Sequence, residues 1–427
     1  LDTKPPIPGN DIYLSLDYGL QKLTSDLLNG KRGAAVAIDP STGEILAFVS
    51  NPSFDPNPFI TGISSREYKA LQQDPDMPLY NRALQGQYPP GSSIKPIEGL
   101  AGIHYGIMGW DSSIYDPGYF SLPGDSHKFR DWKKSGHGNV NLHKSVVESV
   151  DTYYYKLSYQ LGIDRLHDWM TRFNFGSKTG IDLPGEKTGV YPSTDWKMKT
   201  YKKAWLPGET ISVSIGQGYF LATPLQIANG IAMLAGDGQH LTPHLLKKST
   251  GAEHVTPIEK PDGKIQYNGN PNDWQRMHLA MEDVVKKGTA HNIYTPTYRI
   301  AGKTGTAQVK SIAQGKRYNE AALDSRHWDH GWFVGFAPVE NPQIAIAVIV
   351  ENGRHGGWVA PIVRKMMDYW LIDKIKKPIV PPSPEELVKI NAEKQAAKLQ
   401  REALVLSGKP IIAKPNTAKL TAVGDAD

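Results

Sequence analysis

The chain has 427 residues, 39% hydrophobic and 21% charged, with a net charge of +5 and no cysteine. That length supports a large core and two or three domains, and the balance is that of a folded protein rather than a disordered one. Disulfides and thiol chemistry are excluded, the mild positive charge gives no argument for nucleic acid, and no stretch approaches the roughly 20 apolar residues of a bilayer-spanning helix.

The opening "LDTKPPIPGNDIYLSLD" is Pro-rich and linker-like, so residues 1–20 read as the remnant of a linker from a missing N-terminal region. Next, "DYGLQKLTSDLLNG" carries helical spacing through Leu20, Leu23, Leu27 and Leu28 and stops at Gly30. "GAAVAIDPSTGEILAFVSNPSF" reads as a hairpin of Ala34–Ile38 and Ile45–Val49. Residues 92–240 are mainly helical in pattern, most clearly in "ESVDTYYYKLSYQLG" and in "ATPLQIANGIAMLAGDG", where Thr223-Pro224 supplies a cap and first turn. Between 297 and 352 the period changes. "TYRIAGKTGTAQV", "DHGWFVGFAPVENPQ" and "IAIAVIVENG" read as strands, and "APIVRKMMDYWLI" closes with a helix. This order predicts a mixed α/β (α+β) fold: an antiparallel five-stranded sheet formed by both ends of the chain, flanked by helices, beside a mostly helical subdomain. The body spans about 21–375, and residues 376–427 form a Pro-rich, charged tail with a helix start at Ser383-Pro384-Glu385-Glu386.

One short stretch carries a chemical signal. In "YPPGSSIKP", Ser92 and Lys95 stand one turn apart at a helix start, on one face. That arrangement suits an amine that must reach a hydroxyl, and equally a capping serine before a solvated lysine. Lys-Thr-Gly occurs at Lys178, Lys187 and Lys303, and the third is preferred because only Lys303-Thr304-Gly305-Thr306 lies in a strand-like run. Glycine in a strand lets another backbone or a ligand approach closely. Among the Ser-x-Asp triplets, Ser149-Val150-Asp151 is preferred because it opens a strong helix between the other two motifs, whereas Ser193-Thr194-Asp195 suits a helix cap.

Ser-x-x-Lys, Ser-x-Asp and Lys-Thr-Gly in this order resemble the signature of serine acyltransferases that react with β-lactams. "AAVAIDPSTGEILAFVSNPSFDPN", "NRALQGQYPPGSSIKP", "SVSIGQGYFLATPLQIANGIAMLAGDG" and "IAGKTGTAQV" resemble the transpeptidase domain of class B penicillin-binding proteins. "RDWKKSGHG" and "SVDTYYYKLSYQLGIDRL" are similar to its elongation, cell-shape branch. The resemblance covers about residues 10–375 and implies a serine β-lactamase/transpeptidase-like fold. It also implies a Ser92 nucleophile that attacks the penultimate D-Ala carbonyl of a peptidoglycan stem peptide. Lys95 is then the base, kept neutral by a charge on Lys303. The amides of Ser92 and Thr306 hold the oxyanion, each worth roughly 3 kcal/mol. Ser149 relays the proton to the leaving amine, and Thr304 and Thr306 hold the carboxylate. β-Lactams would acylate the same serine. The implied setting is the periplasmic face of the bacterial inner membrane, with an N-terminal anchor outside this sequence and a membrane glycosyltransferase and other elongation-complex proteins as partners. Asp151 departs from the asparagine of the wider family. It accepts hydrogen bonds only, and beside Lys95 it would favour the ammonium.

A second cluster, Asp116, Asp131 and His137, offers oxygen and imidazole ligands from loops. Turn hydrogen bonds and loop packing are the alternative reading. The resemblance implies a zinc site that some elongation-branch members complete with a cysteine where Val150 stands, so zinc here would rest on three protein ligands with water or another ligand in the fourth place; no other cofactor is called for. Two further functional classes stay open: a D,D-carboxypeptidase or β-lactamase-type hydrolase, for which no Glu-x-x-x-Asn loop is found, and a penicillin sensor that acylates without turnover.

Overall fold

A computed structural model describes residues 9–250, 263–309 and 324–376, together with 383, 385–390, 392–393 and 396. Helix α1 (Tyr18–Leu28), capped by the Asp17 carboxylate, leads into the hairpin of β1 (Gly33–Ile38) and β2 (Ile45–Asn51). Helices α2 (Lys95–His104), α3 (Asp151–Leu161), α4 (Pro224–Ala235) and α5 (Asn272–Lys286) follow. The chain then forms β3 (Ala301–Ala307), β4 (His330–Ala337), β5 (Ile344–Val350) and α6 (Gly356–Asp368). The five strands lie in the order β2-β1-β5-β4-β3. Every pairing is antiparallel, with Val36 opposite Phe48, Val348 opposite Ala35, Val334 opposite Ala347 and Phe333 opposite Thr304. The predicted sheet and its assembly from both chain ends are therefore present.

All residues of β1 and β5 are buried, which explains why they read as continuous apolar runs rather than alternating ones. α1 and α6 pack on one face, and α4 packs on β5 and β1. Burying the apolar side chains of such strands is worth roughly 1.5–3 kcal/mol each. A second mass of core lies among the helices, where Tyr153, Tyr154, Trp169, Phe173, Phe175 and Phe220 are fully enclosed. Trp169 ties this core to α2 by donating its indole N–H to the Ile97 carbonyl at 2.8 Å. α4 begins with a capping box between Thr223 and Gln226, with Pro224 in its first turn.

The insertion is less uniformly helical than its pattern predicts. Ser113–Asp116 pairs with Gly138–Asn141, and Tyr119–Phe120 with Phe129–Arg130. These ribbons are too short for a period of two to show in the sequence. Ser193 does cap a helix, Thr194–Tyr201, and the Lys178 and Lys187 triplets lie in loops. Within the first twenty residues, Ile12–Leu14 pairs with Leu246–Ser249. Contacts divide the chain into a unit of Leu1–Pro378 and a unit of Ile379–Asp427. In the second unit residues 385–390 are helical, and the Ser383 hydroxyl accepts from the Glu386 amide at 3.3 Å. No helix among the described residues is long and apolar enough to cross a membrane.

Candidate active site

The Ser92 segment is a 3-10 turn, Gly91–Ile94, running directly into α2. Its position is set by backbone crowding against the edge strand. Gly91 has φ of +56°, and a Cβ there would overlap the Thr306 carbonyl, whose carbon would be 2.8 Å away. A Cβ on Gly305 would come within 2.9 Å of the Pro90 carbonyl oxygen. Two positions without side chains thus let the turn lie on β3, as the sequence reading of Gly305 anticipates. Ser92 is half-buried and opens into a cleft, while Lys95 beneath it is 0% exposed.

Ser149, in the second motif, joins the first and third. It has φ of +56°, a left-handed conformation that costs energy outside glycine and persists only where neighbours hold it. That conformation turns both of its oxygens toward lysines. Lys95 Nζ donates to the Ser149 carbonyl at 2.8 Å and to Asp151 Oδ1 at 2.6 Å. Lys303 Nζ donates to Ser149 Oγ at 2.7 Å. The structure therefore brings Ser92, Lys95, Ser149, Asp151, Lys303, Thr304, Gly305 and Thr306 to one place, and all but the two buried lysines line one cleft of about 370 Å³.

The sequence leaves two arrangements open: a charged Lys303 that keeps Lys95 neutral, or an Asp151 beside Lys95 that favours its ammonium. Here Lys95 is ion-paired with Asp151. Lys303 is 0% exposed, and its burial, reinforced by the Lys95 charge, holds its ammonium well below the usual lysine range. One carboxylate serves two amines, and it lies against Lys95. Glu98, one turn along α2, is enclosed as well; burial pushes its carboxyl well up, and Tyr191 hydrogen-bonds Oε1 at 3.4 Å.

Other side chains outside the three motifs also line the cleft, among them Trp132, Gln217 and Thr289. Gln217 Nε2 donates to the Thr306 carbonyl at 3.1 Å, and Thr289 Oγ1 lies 2.7 Å from Thr304 Oγ1. Gln217 sits in the quoted "SIGQG" run, so a local signal existed, whereas "KKGTAHN" around Thr289 offers none. A roomier cavity of about 500 Å³ behind Gly353–Trp358 contains no motif residue, and ion pairs engage its charges, such as Arg326 with Asp76 at 2.8 Å.

Asp116, Asp131 and His137 also converge, with ligand atoms within 4.8 Å of one another. Most of their polar atoms are hydrogen-bonded, but His137 Nε2 is buried without a hydrogen-bond partner, 3.9 Å from Glu148 Oε2. Asp116 Oδ2 accepts from the His137 backbone N–H and from Nδ1, both at 2.8 Å, and Oδ1 accepts from the Gly118 N–H at 2.7 Å. Burial alone would raise this carboxyl, but these donors hold it below its ordinary range. Asp131 Oδ2 accepts from the Asp151 and Thr152 amides at 2.7 and 3.1 Å, thereby capping α3, whose Val150 has no side chain to do so. Burial and the nearby Asp151 carboxylate push Asp131 up. Zinc centres use four ligands, and Val150 supplies none. An imidazole N–H also spans the two carboxylates, 3.5 Å from Asp131 Oδ1. The three residues converge as the zinc reading requires, while Val150 leaves the fourth place without a protein ligand.

The penicillin binding protein transpeptidase domain family matches residues 33–368. The chain belongs to this family. A curated relative in Acinetobacter baumannii, the peptidoglycan D,D-transpeptidase MrdA, is 61% identical over 89% of the chain. The chain spans 57% of that relative's length. Among solved structures, Pseudomonas aeruginosa PBP2 in complex with WCK 5153 is 48% identical with a TM-score of 0.79, covering 86% of this chain and 80% of that one. Helicobacter pylori PBP2, solved in complex with MreC, is 35% identical with a TM-score of 0.73, covering 85% and 64%. The elongation-branch resemblance is thus upheld.

Proposed function

We propose that this chain is a peptidoglycan D,D-transpeptidase domain that cross-links stem peptides in cell-wall elongation through an acyl-enzyme on Ser92. The observation that carries the reading is the junction at Ser149, where one serine accepts hydrogen bonds from Lys95 and Lys303 directly below the Ser92 turn. Two amines share one carboxylate there, so a small change in field decides which of them holds the proton.

In the resting arrangement Lys95 is paired with Asp151, and burial disfavours the Lys303 ammonium. A substrate carboxylate seated on Thr304 and Thr306 adds negative charge beside Lys303 and favours its ammonium. With the charge moved onto Lys303, which donates to the Ser149 hydroxyl, Lys95 is left as the base. Ser92 Oγ then attacks the penultimate D-Ala carbonyl and gives its proton to Lys95, while the amides of Ser92 and Thr306 hold the oxyanion. That proton passes through Ser149 to the departing D-Ala amine. The amine of a neighbouring stem attacks the ester, returns a proton to the network and releases Ser92. A β-lactam follows the first half, but its leaving nitrogen stays tethered, so the ester persists.

The same reading places the domain at about 21–375 with a tail in 376–427, but the strand Ile12–Leu14 and the start of α1 at Tyr18 belong to the folded body rather than to a linker. The reading sets the whole protein on the periplasmic face of the inner membrane, with a membrane glycosyltransferase and other elongation proteins as partners. The greater length of the curated relatives and the H. pylori complex with MreC support this. Incubation with benzylpenicillin is expected to add one intact penicillin mass that stays for many minutes and is lost in Ser92→Ala. No adduct would refute the acyl-enzyme, rapid hydrolysis would indicate a β-lactamase, and absence of cross-linked product with an acceptor amine would indicate a sensor.

No step above uses a metal. We assign Asp116, Asp131 and His137 to a hydrogen-bonded clasp on the start of α3. Dialysis against a strong chelator should leave Tm and penicillin labelling unchanged; a zinc-restorable fall in either would contradict the clasp.

A further inference from the structure

We propose that Thr289 is a positioning residue for recognition of the ligand carboxylate, acting by aiming the hydroxyl proton of Thr304. The inference rests on the reading just given, in which Thr304 and Thr306 receive that carboxylate.

Thr304 and Thr306 are two residues apart on β3, so their side chains share a face of the strand, and both line the cleft. A threonine hydroxyl has a single proton. Where that proton points is free unless a neighbour fills one of the oxygen's lone pairs. Thr289 Oγ1, at 2.7 Å, is such a neighbour. When a carboxylate occupies the cleft it can only accept, so Thr304 donates to it and Thr289 donates to Thr304. The hydrogen bonds then run in one direction, Thr289 to Thr304 to carboxylate, and each polarises the next.

Thr289 is held firmly enough to do this. It follows the end of α5, where the Gly288 and Ala290 amides both donate to the Val284 carbonyl, at 3.1 and 3.0 Å. A Cβ on Gly288 would come within 2.5 Å of the Val147 carbonyl oxygen, so this turn lies against the segment that leads into Ser149. The hydroxyl therefore sits between the Ser149 segment and β3, on backbone fixed by both.

The test compares acylation of the purified chain by benzylpenicillin and by its methyl ester, which keeps the reactive ring but lacks the charge. Thr289→Val, which preserves shape, should lower the second-order acylation constant for benzylpenicillin about tenfold, the size expected when a hydrogen bond to a charged group is weakened. The loss on the ester should stay within about twofold, because a neutral acceptor gains less from an aligned donor. Thr289→Ser should restore the parent rate. Thr289→Ala, which introduces no added bulk, should repeat the valine result should the valine variant fold poorly. In a Thr304→Val background the Thr289→Val change should add almost nothing, since the two act as one unit.

Equal losses on acid and ester would show a packing role and overturn the proposal, as would an unchanged rate on benzylpenicillin or failure of serine to rescue. A parent chain that takes no penicillin would overturn the acyl-enzyme reading along with it. A parent that acylates normally while Thr289→Val is silent would overturn this inference alone.

Discussion

Lys303→Met should give a protein that is more stable than the parent at neutral pH and at least about a hundredfold slower to acylate. The methionine fills a similar volume without an amine that burial opposes. In the folded state the Lys303 ammonium is lowered well below its ordinary 10.5, first by desolvation and then by Lys95, with Asp151 acting the other way. The unfolded chain therefore binds more protons at this position than the folded chain does. Stability from this group is complete only above the unfolded value and is lost as pH falls through the folded one. The parent's Tm should consequently gain from rising pH between 7 and 9 more than the variant's does. Acylation falls because the amine that stabilises charge in the cleft and draws the proton from Lys95 is gone, and losing one such preorganised group costs about 10²–10³ in rate. A variant less stable than the parent at every pH would show that Lys303 is a charged structural ion, and the shift of charge proposed between the two lysines would fail with it.

Gly91→Ala should abolish penicillin labelling, lowering the rate more than about a hundredfold, and should cost about 3 kcal/mol of stability. Two effects add. Gly91 has φ of +56°, and its new methyl would strike the Thr306 backbone. Relief requires the Ser92 turn to lift from β3, separating the nucleophile from the Thr306 amide; a shift of an ångström at such a site is enough to remove most catalysis. Gly106→Ala is the control, with φ of +65° and nothing within 4 Å of the added carbon. It carries only the backbone strain, about 1 kcal/mol, and should label normally. Parent-like labelling of Gly91→Ala would mean that the turn does not need β3 at this distance.

Much of the site was legible because its signals are local. Ser92 and Lys95 lie one helical turn apart, and Lys303 was separated from the loop triplets at Lys178 and Lys187 by strand period alone. The hairpin, the three late strands and the closing helix were readable for the same reason: burial on a regular element writes its period into neighbouring residues. Thr289 was not legible as a site residue, since only the fold brings it to the Thr304 hydroxyl on β3, while Gln217 and Trp132 lay in quoted runs whose place at the cleft only the fold shows. Asp131 looked like a metal ligand. In the fold its carboxylate takes the place of a missing helix cap twenty residues later, and no local spacing reports such a bond.

What the amino-acid order determined by itself was which groups are available: a hydroxyl above an amine on α2, a second amine on an edge strand, and a serine opening α3. Folding decided how those groups share charge. Asp151 came to rest against Lys95 rather than Lys303, and Ser149 took a left-handed conformation that faces both. Proton affinity in a buried site depends on desolvation and on distances between segments far apart in the chain, such as Lys95 to Ser149, 54 residues on, and Ser149 to Lys303, 154 residues on. Those distances exist only after the sheet and the helices have packed.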